Sequence, residues 1–142
     1  MGLQLTRGSE YAIRAMTYLA SRPPGEVCAL HAVSNARDVP PSFLAKILQN
    51  LVHADLVVSH RGARGGFALA RPAEQITIAD VIQAVDGPLS LNTCVVSPEV
   101  CSLSSTCPVH DVWMRAQAAM MDVLGTVTLA DVAVESLVPA ED

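Results

Sequence analysis

Residues 40–71 read PPSFLAKILQNLVHADLVVSHRGARGGFALAR, and the spacing of their apolar positions changes from helical to alternating part-way along. Pro41 suits the first position of a helix, where its missing N–H would have had no partner anyway. After it, Leu44, Ile47, Leu48 and Leu51 recur at helical spacing, while Ser42, Lys46, Gln49 and His53 fall on the opposite face. From Val57 to Arg61 the chain reads as a short strand, Gly62-Ala63-Arg64-Gly65-Gly66 as a turn, and Phe67 to Arg71 as the returning strand with Phe67 and Leu69 on one face. A helix followed by a hairpin with a basic, glycine-rich tip is a recognition helix and its wing, provided that a second helix precedes it.

The segment upstream supplies that helix. Cys28 to Arg37 reads as a short helix presenting Leu30 and Val33, and Asp38-Val39-Pro40 breaks it. Before it, Thr6 is an N-cap, Glu10 sits in the first turn, and Ala12, Ala15, Met16 and Leu19 share a face until Pro23-Pro24-Gly25. Downstream, Thr77-Ile78-Ala79-Asp80 reads as a capping box, opening a stripe of Ile78, Val81, Ile82 and Val85 that ends at Gly87-Pro88. Val109, Trp113, Ala116, Met120 and Val123 then recur at alternating steps of four and three, the seam of two helices lying side by side. Gly125 ends that helix, and Thr128 to Asp131 caps a last one with Val132, Ala133 and Leu137 inward. The expected fold is mainly α with a small β-hairpin: a winged helix-turn-helix domain over 1–88, a cysteine-rich loop over 89–107, and a long dimerisation helix with a C-terminal helix over 108–142.

Composition narrows the function. With 142 residues and 51% hydrophobic content the chain is large enough for one core. No apolar run spans a bilayer and the start MGLQLTRGSEY has no apolar signal region, so a cytoplasmic protein without a membrane partner is expected. The net charge of -5 is unevenly placed. Residues 1–71 carry eight of the nine basic side chains against four acids, net +4; residues 72–142 carry Arg115 and ten acids, net -9. Such asymmetry points to a basic surface for a polyanion. Ser42, Phe43, Lys46 and Gln49 on the recognition helix, and Arg61, Gly62, Arg64 and Gly65 on the wing, are the candidate contacts to double-stranded DNA. No Ser-His-Asp order, phosphate-binding glycine loop or Cys-x-x-Cys pair is present, and His31, His53 and His60 lack an obvious carboxylate partner, so no enzyme is expected.

Three of the four cysteines lie between residues 94 and 110, in CVVSPEVCSLSSTCPVH. Six residues separate Cys94 from Cys101, five separate Cys101 from Cys107, and two separate Cys107 from His110. Thiolates and imidazole suit iron-sulfur clusters and zinc. Gaps this long fit zinc knuckles poorly, a disulfide would leave one thiol over, and the surrounding serines argue against a buried, inert role. Iron-sulfur ligation fits the spacing best, with redox thiols and zinc as the other readings. Pro108 suits the first position of the following helix, whose N–H groups would face an anionic centre. Cys28, far away, reads as a core or helix cysteine.

Several segments together, SEYAIRAMTYLA, PPSFLAKILQNLVHADLV, RGARGGFALA and ITIADVIQAVDGP, resemble the Rrf2 family of bacterial transcription regulators over nearly all of residues 3–125. The resemblance implies a homodimeric winged-helix protein, paired through its long helix on palindromic operator DNA. Its sensing members hold an iron-sulfur cluster with three cysteines before that helix, which here are Cys94, Cys101 and Cys107. His110 matches the histidine completing a 2Fe-2S site in IscR-like members. Glu10 lies where a carboxylate from the partner subunit completes a 4Fe-4S site in NsrR-like members. His110 is the preferred fourth ligand, since it lies one helical turn from Cys107. The signal implied is redox state, nitric oxide or iron-sulfur status, and the family also holds cluster-free regulators that sense through thiols or a small ligand.

Overall fold

The computed structural model describes residues 4–91 and 106–133. Helix α1 (Arg7–Ser21) starts as expected at Thr6, whose hydroxyl accepts from the Ser9 N–H, and it buries Ala12, Ala15, Met16 and Leu19. Helices α2 (Leu30–Arg37) and α3 (Pro41–His53) follow, with Leu44, Ile47, Leu48 and Leu51 of α3 buried. Strands β1 (Val57–His60) and β2 (Gly66–Leu69) pair antiparallel, with Val57 opposite Leu69 and His60 opposite Gly66. A 3-10 turn (Ala73–Gln75) leads to α4 (Ile78–Asp86), then come α5 (His110–Leu124) and the short α6 (Leu129–Val132). Helix α1 packs against α2, α3, α4 and α6 around one core. Among the described residues no helix is long and apolar enough to cross a membrane.

The turn between α2 and α3 is closed by polar atoms. Asp38 takes the left-handed conformation, the Val39 N–H donates to the Ser34 carbonyl at 3.1 Å, and the buried Ser34 hydroxyl donates back to the Val39 carbonyl. Val39, 2% exposed, plugs the space beneath. An orphaned polar group at such a site would cost about 1–3 kcal/mol. The angle between the two helices is therefore set by a buried, satisfied turn.

Three expectations need correction. Helix α2 begins at Leu30 instead of Cys28, because Cys28 is extended and pairs with Phe67 of β2 through two 2.8 Å backbone bonds. This segment passes so close to the wing that a Cβ on Gly66 would collide with the Cys28 carbonyl, so only glycine fits there. Helix α5 begins at His110 instead of Pro108, since Cys107 to His110 forms a turn with the His110 N–H on the Cys107 carbonyl at 3.2 Å. On the returning strand Phe67 is in the core and Leu69 packs against it, as expected for residues on one face, and Ala68 is buried as well. In the last helix Leu129, fully buried, is the anchor, whereas Val132 and Ala133 are half-buried; Leu137 lies outside the described residues. Leu129 is held by pairing of residues 127–129 with 76–78: the Ile78 N–H donates to Val127 at 3.0 Å and the Leu129 N–H to Ile76 at 2.8 Å. Both expected capping boxes, Thr77 with Asp80 and Thr128 with Asp131, are present.

Candidate functional site

The outward side of α3 and the tip of the hairpin both expose basic side chains. Ser42, Phe43, Lys46 and Gln49 are exposed on α3, and Arg61, Gly62 and Arg64 are exposed on the wing. Gly65 is half-buried beneath them, where a Cβ would collide with the His60 carbonyl; its N–H donates to the Gly62 carbonyl at 2.9 Å and tightens the tip. Among the described residues the ion pair is Arg22 with Glu26, at 2.6 Å, so the charges of Lys46, Arg61 and Arg64 remain uncommitted. Phe43, 53% exposed at the start of α3, stands edge-on to Tyr11 at 5.9 Å. The Arg14 guanidinium lies over the same Tyr11 ring at 5.5 Å and also donates to the Asp38 carbonyl at 3.3 Å. Helix α1 thus braces the start of the recognition helix through Tyr11 and Arg14. Neither is among the residues the sequence singles out, although their spacing of three places them side by side on one face of α1.

The second part of the site is the start of α5. Val109 precedes it without a side-chain cap, so among the described residues no capping side chain accepts from the first-turn N–H groups. Cys107 carries a free thiol and is half-buried. The Nδ1 atom of His110 is buried without a hydrogen-bond partner. Cys94 and Cys101 lie outside the described residues. Among the described residues no three His, Cys, Asp or Glu side chains meet, so Glu10, exposed on α1, is not brought to Cys107 and His110 within one chain.

Polar clamps hold the segment leading into the cysteine window. Asp86, at the end of α4, accepts from the Thr6 hydroxyl at 2.6 Å and from the buried Ser9 hydroxyl, which joins α4 to the start of α1. The Gln117 amide donates to the Leu89 carbonyl at 2.7 Å and accepts from the Leu91 N–H at 2.9 Å. Gln117 therefore fixes α5 against the chain that enters the window. In the sequence it reads only as a polar position of the long helix.

The chain matches, over residues 5–135, the model of the Rrf2 family, described as iron-dependent transcriptional regulator. The chain belongs to the Rrf2 family of transcriptional regulators. A protein of Mycobacterium tuberculosis named as an HTH-type transcriptional regulator is 41% identical over 131 residues, covering 92% of this chain and 81% of that protein. CymR, the global cysteine regulator of B. subtilis, shares 26% identity and a TM-score of 0.78, over 93% of this chain and 97% of its own. The IscR of T. potens shares 27% identity and a TM-score of 0.74, over 100% of this chain and 96% of its own. This Rrf2 chain is thus a DNA-binding transcriptional regulator and not an enzyme.

Helix α5 carries the remaining candidates. None of its residues is buried. Val109, Trp113 and Val123 of the expected seam are exposed by 43%, 37% and 57%, Ala116 is exposed, and Met120 is half-buried. Val112 and Met114 are exposed as well, so the open apolar surface of this regulator is wider than the seam.

Proposed function

We propose that the protein is a homodimeric regulator that seats α3 and the wing on palindromic duplex DNA. Control comes from an iron-sulfur cluster held by Cys94, Cys101, Cys107 and His110. The observation that carries the cluster reading is the His110 Nδ1: a buried imidazole nitrogen without a partner, three residues from a free thiol. Left so, it would cost about 1–3 kcal/mol, whereas an iron ligand would satisfy it. The uncapped start of α5 suits the negative charge of a thiolate-ligated centre. When bound, such a cluster supplies one-electron redox chemistry. The chain's own part is to present Cys107 and His110 from the turn that leads into α5, and to fix the window's entry through Gln117 and Asp86.

The second reading is a regulator of the same fold that senses through thiols or a small ligand, as similarity to an oxidized form of Staphylococcus aureus CymR suggests. Cys28 is a poor reactive thiol for that role. Burial first, then the nearby Glu26 carboxylate, pushes its pKa above the ordinary value and keeps it neutral. A thiol sensor would have to rely on the 94–107 window.

Anaerobic reconstitution with iron and sulfide, read by absorption and by electron paramagnetic resonance of the reduced protein, tests the proposal. A 2Fe-2S cluster is expected in the wild type, none in Cys101→Ala, and a labile or altered one in His110→Ala. Glu10→Ala should matter only if the cluster is 4Fe-4S. Wild-type protein that binds its operator yet takes up neither iron nor sulfide would replace the cluster with the thiol or small-ligand reading.

A further inference from the structure

Behind the wing, on the side away from its tip, lies a cavity of about 480 Å³ that the DNA surface and the cysteine window leave unused. Its walls come from the end of α1, the Pro23–Glu26 turn, the exit of β2, the 3-10 turn and α6. Leu19, Leu69 and Ala130 supply apolar lining, which explains why Leu69 is only half-buried. The charged lining comes in two pairs. Arg22 and Glu26 neutralise one another at 2.6 Å. Arg71 and Glu74 line the same cavity and form no ion pair with each other or with any other described residue. A cation and an anion left uncommitted beside apolar lining are complementary to a small molecule that carries both charges and an apolar body.

We propose that this cavity binds a small zwitterion of amino-acid type, its carboxylate on Arg71, its ammonium on Glu74 and its apolar side chain towards Leu19 and Leu69. The volume accommodates an aliphatic amino acid and leaves room for water. The site is also placed to act on DNA binding. Leu69 ends β2, Arg71 follows it, and Glu26 lies two residues before Cys28, whose backbone pairs with Phe67 of the wing. An occupant joining these segments stabilises one seating of the hairpin, and by linkage DNA binding changes its affinity by the same factor. This input goes beyond the cluster reading and does not depend on it.

Thermal unfolding of the full-length protein with each of the twenty proteinogenic amino acids at about 10 mM tests the proposal, because a ligand of the native state raises Tm by mass action. A subset with aliphatic side chains, L-leucine among them, is expected to raise Tm by a few degrees. Leucinamide and isocaproate, each lacking one of the two charges, should give little or no rise. Arg71→Ala and Glu74→Ala replace exposed side chains and should fold; by calorimetry each should weaken leucine binding about tenfold or more. Cys101→Ala should keep the effect, which separates this site from the cysteine window. The proposal is overturned if none of the twenty raises Tm, if leucinamide protects as well as leucine, or if protection survives in both Arg71→Ala and Glu74→Ala.

Discussion

Lys46 and Arg61 are exposed on different parts of the winged domain, and neither is neutralised by an acid among the described residues. An uncommitted cation facing duplex DNA acts by releasing condensed counterions, so its worth depends on salt more than on sequence. Lys46→Ala and Arg61→Ala should each reduce the slope of log K against log salt by about one unit and weaken binding to all sequences by similar factors. Fluorescence anisotropy on a selected operator and on a scrambled duplex, across a salt titration, measures this. An unchanged slope in the double variant would remove both residues from the interface. Phe43 differs in kind: it is apolar, exposed and braced by Tyr11, so on the proposed reading its contribution would fall on base edges such as a thymine methyl. Gly65 and Gly66, by contrast, owe their identity to backbone packed where a Cβ would stand. At Gly65 the shape of the tip, and not a contact made by the residue itself, is what the glycine secures.

Among the elements, the short α6 carries more stability than its four residues suggest. Leu129 is fully buried against the core, and its backbone is paired to Ile76 while Thr128 and Asp131 cap the helix. Leu129→Ala should cost about 2–5 kcal/mol, and Val132→Ala distinctly less because Val132 is half-buried. Urea midpoints at fixed protomer concentration and unchanged slope would measure the difference. Equal losses in the two variants would mean that Leu129 is not the anchor. Local signals had made most of the architecture legible: Pro41 opens α3, four apolar residues of α3 are all buried, and both capping boxes form as their sequences imply. Long-range pairing was hidden. Cys28 looks helical by its neighbours but is extended because Phe67 bonds it, and Leu129 looks like one apolar residue among several until residues 76–78 fix it. The candidate site divides in the same way. The spacing from Cys107 to His110 drew attention to the imidazole, but Gln117 and Asp86 act on partners that no local pattern reveals.

For the whole molecule, the decisive feature is a fifteen-residue helix with no buried side chain. At about 1.5 Å per residue it extends some 22 Å, and alone it would be marginal in water. Val109, Val112, Trp113 and Val123 share one face and leave an apolar strip along it that the described residues do not cover. In the proposed dimer a second copy of the same helix would cover such a strip with a self-complementary surface, and two-fold symmetry would then set two recognition helices on two half-sites. Trp113→Glu and Ala116→Glu place a carboxylate within that strip, where pairing would bury it without a counter-charge. Each should convert the protein to a monomer in sedimentation velocity at micromolar concentration. Far-UV circular dichroism should stay close to wild type, because the core around α1 contains none of these residues. Loss of pairing removes the second half-site from the intramolecular reach of the first, so affinity for a palindromic operator should fall about a hundredfold or more, while binding to an isolated half-site changes little. If both variants sediment as dimers, α5 is not the interface, and the exposed strip must face something other than a second copy of this chain.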